Sequence, residues 1–211
     1  VTLVSYQFGG LLSGLTSFDE DLHGWDTSRV TNMYSLFESA TAFNQPVSLN
    51  TTRVTSIHSM FERAADFNQP LDLDTANVFD CEGMLKIPSW MLDGTVSAMF
   101  NSSITFNDTR NVANMGGMFE GAANFNQPLD FEVSSVTGIC EMFRMHTAGG
   151  TFNQPLAFDM RAVLDASEMF RWAESFNQPL DWDTGSVTDM ELMFSQTEIF
   201  NQPLILDTSS V

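Results

Sequence analysis

Basic residues are scarce in this sequence. Eight lysines and arginines stand against 27 aspartates and glutamates, for a net charge of −19, and Lys86 is the single lysine. A surface of that sign repels nucleic-acid phosphates and anionic lipid headgroups, so neither is an expected partner. Long apolar runs are also missing. No window reaches the roughly eighteen uninterrupted apolar residues of a membrane helix, and no secretory leader opens the sequence. It begins at Val1 without a methionine, so a processed or partial segment is expected. Cysteine is limited to Cys81 and Cys140, too few for a disulfide-stapled mini-domain. Glycine-rich phosphate loops are lacking. His23, His58 and His146 fall in three different registers of the repeat set out next, with no metal-ligand spacing between them and no recurring Ser/His/Asp set. No catalytic residue and no cofactor are therefore expected.

Apolar residues are plentiful, at 43%, which excludes a disordered tail. They recur in a fixed pattern. Phe-Asn-Gln-Pro-Leu stands at 67–71, 125–129, 152–156, 176–180 and 200–204, ends in valine at 43–47, and survives in decayed form as Phe18-Asp19-Glu20-Asp21-Leu22. Phe43 to Phe67, Phe152 to Phe176 and Phe176 to Phe200 are steps of 24 residues. Two residues past the leucine comes another large apolar residue: Leu49, Leu73, Phe131, Phe158, Trp182 or Leu206. Asp-Thr follows, as in Asp183-Thr184, then a valine such as Val187, then a Met-Phe pair such as Met60-Phe61, Met99-Phe100, Met118-Phe119 or Met193-Phe194.

Two periodicities share each copy. Leu180-Asp181-Trp182 alternates apolar and polar, which predicts a very short strand. Val187, Met190, Met193 and Phe194 are spaced as one face of a short helix, with Thr188 and Glu191 as its capping box. Such a unit cannot bury its own apolar face, and stacking the units does so. The expected fold is an α/β solenoid, leucine-rich-repeat-like, with about 24 residues per rung and about eight to nine rungs over 1–211. A short parallel β-ladder lines one side and short helices or 3₁₀ turns the other. Val78 to Val112 spans 34 residues, so an irregular rung is expected at 79–111. A three-residue insertion before Phe152 predicts a bulged loop near His146 and Gly149-Gly150.

The unit Phe-Asn-Gln-Pro-Leu…Trp-Asp-Thr-Ser-x-Val-Thr-x-Met…Met-Phe resembles the surface-protein repeat of about 25 residues first catalogued in mycoplasma lipoproteins, which is similar to BspA-type leucine-rich repeats. The resemblance covers nearly the whole chain. It implies a right-handed solenoid, a secreted or cell-surface location and roles in adhesion or interaction. It carries no catalytic residues, and the 79–111 stretch departs from its pattern.

Candidate sites follow from the stacking. Asn44, Asn68, Asn126, Asn153, Asn177 and Asn201 would lie above one another as a buried ladder whose amides satisfy backbone groups. Asp26, Asp74, Asp108, Asp159, Asp183 and Asp207 form a second column, read as turn and cap residues. The sharper reading is diffuse calcium binding by stacked carboxylates, Asp26, Asp74, Asp159, Asp183 and Asp207 above all. Asn50, Asn101 and Asn107 open N-x-Ser/Thr sequons and are candidate glycosylation sites. Cys81 and Cys140 are expected to stand too far apart to pair, Cys140 as a small core residue beside the methionines. The functional expectation is an extracellular structural or adhesive protein that stacks end to end into a filament. The alternative is a surface recognition module for a host protein or glycan, with Trp90 and Trp172 as candidate exposed aromatics.

Overall fold

The computed structural model describes residues 7–91, 98–146 and 149–211, with the side chain of Trp90 outside that description. Proline lacks an N–H and so precedes a ladder better than it joins one. After Pro70, β1 (Leu71–Leu73) buries its two leucines and exposes Asp72. It pairs in parallel with β2 (Ile104–Phe106), Leu71 opposite Ile104 and Leu73 opposite Phe106. Leu180 and Leu204 bridge at the same position. A second row of parallel bridges runs Ser56, Asp80, Asn114, Gly138, Asp165, Asp189, two residues past each valine.

From that row the chain enters a run of turns. Among the described residues there is no α-helix, and two 3₁₀ segments occur, Ser89–Met91 and Met160–Ala162. The segment spaced like a helix face is bonded differently. Met193 N–H donates to the Met190 carbonyl, Ser195 to Leu192 and Thr197 to Phe194. Intervening amides donate to the next copy: Ser59 to Glu82, Phe61 to Met84, Arg63 to Lys86. A helix would claim those amides for its own i−4 carbonyls. It would also forbid the left-handed residues that recur here, at Ser35, Ser59, Glu141, Glu168 and Leu192, with φ between 51° and 57°. The capping box does not form: Thr188 Oγ1 donates to the Leu164 carbonyl at 3.1 Å, and Glu191 N–H to Asp189 Oδ1 at 2.9 Å.

The core is a double column of phenylalanines. Phe43, Phe67, Phe100, Phe125, Phe152, Phe176 and Phe200 stack with centroids 5.8 to 6.1 Å apart. Beside them run Phe37 and Phe61, then Phe119, Phe143, Phe170 and Phe194. Within a copy the two rings lie nearly parallel, 4.2 Å apart for Phe61–Phe67 and 4.0 Å for Phe170–Phe176. Each aromatic pair adds about 0.5–1.5 kcal/mol beyond its buried area.

This column redraws the irregular rung. Phe100 belongs with the Phe-Asn phenylalanines, stacked between Phe67 and Phe125, and not with the Met-Phe pairs. Met84-Leu85 holds the Met-Phe position, because Phe61 N–H donates to Met84 and Leu85 N–H to Met118. The rung is whole, and its extra residues lie between Ile87 and Phe100. A second left-handed position recurs at Ser39, Arg63, Gly121, Trp172 and Gln196. Its counterparts before the two insertions, Ile87 and Met145, are not left-handed, so the chain leaves the turn pattern there. β-Branched Ile87 is a poor left-handed residue. No helix among the described residues is long and apolar enough to cross a membrane.

Two glycines of this second position test the geometry. Gly14 and Gly121 have φ of 65° or more, 73° and 71° respectively, but an added Cβ meets nothing within 4 Å at Gly14 and the Ile87 carbonyl oxygen at 2.0 Å at Gly121. Gly14→Ala is expected to cost about 1 kcal/mol from the backbone alone. Gly121→Ala is expected to cost at least about 2 kcal/mol more, measured by urea unfolding of both variants.

Candidate functional site

The polar side chains stand in columns, each serving the copy that follows. Asn177 N–H donates to Asn153 Oδ1 at 2.9 Å, and Gln178 Nε2 donates to the same oxygen at 3.1 Å. That arrangement uses both lone pairs of the asparagine oxygen and explains the Asn-Gln dipeptide. The row is continuous from Asp19 through Asn44, Asn68, Asn101, Asn126, Asn153 and Asn177 to Asn201. It is half-buried to exposed, not buried, because it lies at the edge of the phenylalanine column beside exposed prolines. Asp19 and Asn101 are members that the sequence pattern did not flag, although each follows a phenylalanine of the column. Where serine replaces glutamine, Ser102 Oγ donates to the Asn68 carbonyl at 2.8 Å.

The sequon asparagines Asn50, Asn101 and Asn107 are exposed. Asn50 Oδ1 accepts from Thr52 N–H at 3.1 Å, Asn101 belongs to the row just described, and Asn107 Oδ1 accepts from Thr75 N–H at 2.9 Å. The aspartate column closes turns. Asp26, Asp74, Asp108, Asp159, Asp183 and Asp207 each accept the N–H two residues on. Arg110 and Arg161 also grip Asp108 and Asp159, and those hydrogen bonds hold both carboxyls down at about 2. Behind this column the threonines are buried. Thr184 Oγ1 donates to the Asp207 carbonyl at 3.1 Å and accepts Asp207 N–H at 2.8 Å.

The face made of turns carries the non-repeating chemistry. Asn32, Asp80, Asn114, Asp165 and Asp189 each accept the N–H two residues on. Beside them His58, Glu82, Gly116 and Cys140 follow one another in register. A cleft of about 200 Å³ opens there, lined by His58, Glu62, Glu82, Lys86, Cys140 and Glu141 among others. Cys81 is buried, and burial pushes its thiol up. Cys140 is half-buried at the cleft wall instead of in the methionine core, with its thiol pushed up to about 12 by burial and nearby carboxylates. Trp172 is half-buried.

Glu120 is the most enclosed charge on this face. Its side chain is 3% exposed, with Lys86 Nζ at 2.5 Å and His146 Nε2 at 2.9 Å. Burial alone would raise its carboxyl, but the bonds to His146 and Lys86 outweigh burial and hold it below the ordinary 4.5. Burial likewise opposes the Lys86 charge, and Glu120 outweighs it, keeping the ammonium above 10.5. These three residues come from three successive copies. His146, next to the expected bulged loop, turns inward. One three-residue set among the described residues could hold a metal ion: His58, Asp80 and Glu82.

A family model described as "Mycoplasma protein of unknown function, DUF285" matches the chain twice, over residues 6–96 and 89–208. No curated protein and no solved structure matches it. The two family matches meet inside the inserted segment that follows Ile87.

Asn153→Ala removes the acceptor for Asn177 N–H and Gln178 Nε2 and is expected to cost about 1–3 kcal/mol. Asn153→Asp keeps an acceptor, as Asp19 does for Asn44, and is expected to cost clearly less in the same denaturant titration. Glu120→Gln is expected to cost about 3 kcal/mol at pH 7, since it unpairs a buried ion pair. The folded Glu120 carboxyl is held down, so its contribution is present above about 4.5 and lost as pH falls through the lower folded value. Lys86 is held up, so its contribution is present below about 10.5 and lost only above that. Wild-type unfolding midpoints should therefore fall more steeply below pH 4.5 than those of Glu120→Gln.

Proposed function

The chain belongs to this DUF285 family, and from that premise we propose that it is a structural or adhesive repeat protein, secreted or held at the cell surface, that stacks end to end into a filament. The architecture we assign is a leucine-rich-repeat-like solenoid related to the BspA type, with turns where the helical component was expected. The observation that supports this reading is the unbroken asparagine row from Asp19 to Asn201. Each copy presents side-chain oxygens and phenylalanine faces that fit the amides and rings of an identical copy. A face that complements its own opposite face makes a heterologous contact, and such a contact extends as a filament unless rotation closes it. The acidic exterior keeps lateral contacts weak while leaving this axial fit intact. The reading assigns no catalytic role.

A second reading is a recognition module for a protein or glycan. Tyr34 and Phe79 support it, being 46% and 53% exposed outside the stacked columns. Aromatic surface of that kind serves binding more than stacking.

Electron microscopy of natively purified protein separates the two. Filaments with an axial repeat of about 40 Å, eight or nine spacings of about 4.8 Å, are the expected result. Isolated short particles at every concentration would overturn the filament and favour the recognition module.

A further inference from the structure

His58 stands apart from its neighbours in the stack. Its Nδ1 is enclosed and has no hydrogen-bond partner among the described residues. Two carboxylate oxygens of the next copy face it, Asp80 Oδ2 at 3.8 Å and Glu82 Oε2 at 4.0 Å. Those separations are too long for hydrogen bonds. They come near those of donors that share one ion, because two ligands each about 2.1 Å from a tetrahedral metal stand about 3.4 Å apart. All three ligand atoms lie within 4.8 Å of one another, so closure needs only small side-chain movements.

We propose that His58, Asp80 and Glu82 form a binding site for one first-row divalent cation, with zinc as the expected occupant, which clamps two successive copies together. The donor set is one imidazole nitrogen and two carboxylate oxygens. That mixture favours zinc and its neighbours over calcium or magnesium, which take oxygen alone.

The backbone holds the three residues in place before any ion arrives. Ile57 N–H donates to the Asp80 carbonyl at 3.0 Å and Ser59 N–H to the Glu82 carbonyl at 2.8 Å, so His58 is fixed between two bonds to its partner copy. Asp80 Oδ1 accepts the Glu82 N–H at 3.1 Å, which leaves Oδ2 toward His58. Asn114 Nδ2 donates to Glu82 Oε2 at 2.8 Å from the copy beyond, an outer contact of the kind that orients a ligating carboxylate. The adjoining cleft of about 200 Å³ has room for water to complete the coordination. Repetition makes the site unique. The two positions that supply Asp80 and Glu82 hold Asn114 and Gly116, then Gly138 and Cys140, then Asp165 and Ser167 in the following copies. The carboxylate pair returns as Asp189 and Glu191, but there Ser167 stands in the place of His58, so among the described residues the three donors come together once. The site is distinct from the aspartate column on the other side of the valine, where carboxylates close turns.

The test uses the chain as it exists, stripped of metal with chelator and titrated with Co²⁺, then Zn²⁺. One Co²⁺ per chain is expected, with visible absorption bands that one equivalent of Zn²⁺ abolishes and a higher unfolding midpoint with Zn²⁺. His58→Ala and Asp80→Asn are each expected to weaken binding by about 100-fold or more, beyond the loss typical of an outer-shell change. Asp80→Asn keeps the fold, since asparagine already accepts the same N–H at Asn32 and Asn114. It decides the matter should His58→Ala unfold. Cobalt binding that survives both variants would assign the cation to the acidic surface at large and overturn the site. Absence of one-to-one binding in the wild type would overturn it equally.

Discussion

The structure depends on one contact repeated along the stack and interrupted at Leu85: two phenylalanine rings laid face to face within a copy, and each laid against its counterpart in the next. Phe143 and Phe152 lie 4.1 Å apart, and Phe143 meets Phe170 at 5.6 Å. A copy by itself leaves both ring faces in water. Burial becomes favourable only when the neighbour is present, so local structure and tertiary structure form together. The asparagine that follows each ring of the outer column is therefore held at a set height above the previous asparagine, and the 2.8 to 2.9 Å bonds along that row follow from the ring spacing.

The same constraint decides the backbone. Successive copies must approach closely enough for rings to stack, which requires amides on alternate residues to reach the neighbouring copy. A helix cannot offer them, so the chain turns back on itself with left-handed residues at a fixed interval. Serine, glutamate, leucine and tryptophan all occupy such positions, at Ser59, Glu168, Leu192 and Trp172. Each costs roughly 1–2 kcal/mol relative to a right-handed residue. Stacking must outweigh that repeated strain, and the buried double column is the largest favourable contribution available to do it.

This accounts for what was legible in the sequence. Spacing alone placed the phenylalanines other than Phe100 and aligned the asparagines, because stacking demands identical residues at identical heights. It read the asparagines as a buried ladder, where the row is half-buried to exposed, and the alternation read as a strand at 180–182 forms one at Leu71–Leu73 and only a bridge at Leu180. Helical spacing at Val187, Met190, Met193 and Phe194 misled, since a run of turns can put the same positions inward. Left-handed positions carry no residue signature beyond some glycine. The whole rung at Phe100 was hidden because Met99 imitates the Met-Phe pair, while Asn101 carried the truer signal. Cross-copy clusters were least legible of all: Lys86, Glu120 and His146 meet only because the insertions leave the register intact on either side.

Periodicity also limits where distinctive chemistry can arise. A feature built from repeating residues occurs once per copy and can only be a property of the whole column. A single site needs residues that break the pattern. In this chain they converge. The only lysine, two of the three histidines, the half-buried Cys140 and the starts of both insertions all fall on the face made of turns, between His58 and His146. Elsewhere the polar side chains bond the next copy, as the asparagine row does, or close turns within a copy, as the aspartate column does. On this face Glu120 holds three copies together through charge, and His58 looks onto two carboxylates of the next copy at distances no hydrogen bond uses. The repeat supplies a rigid surface of known spacing, and the departures from it supply whatever this chain does that a uniform stack could not.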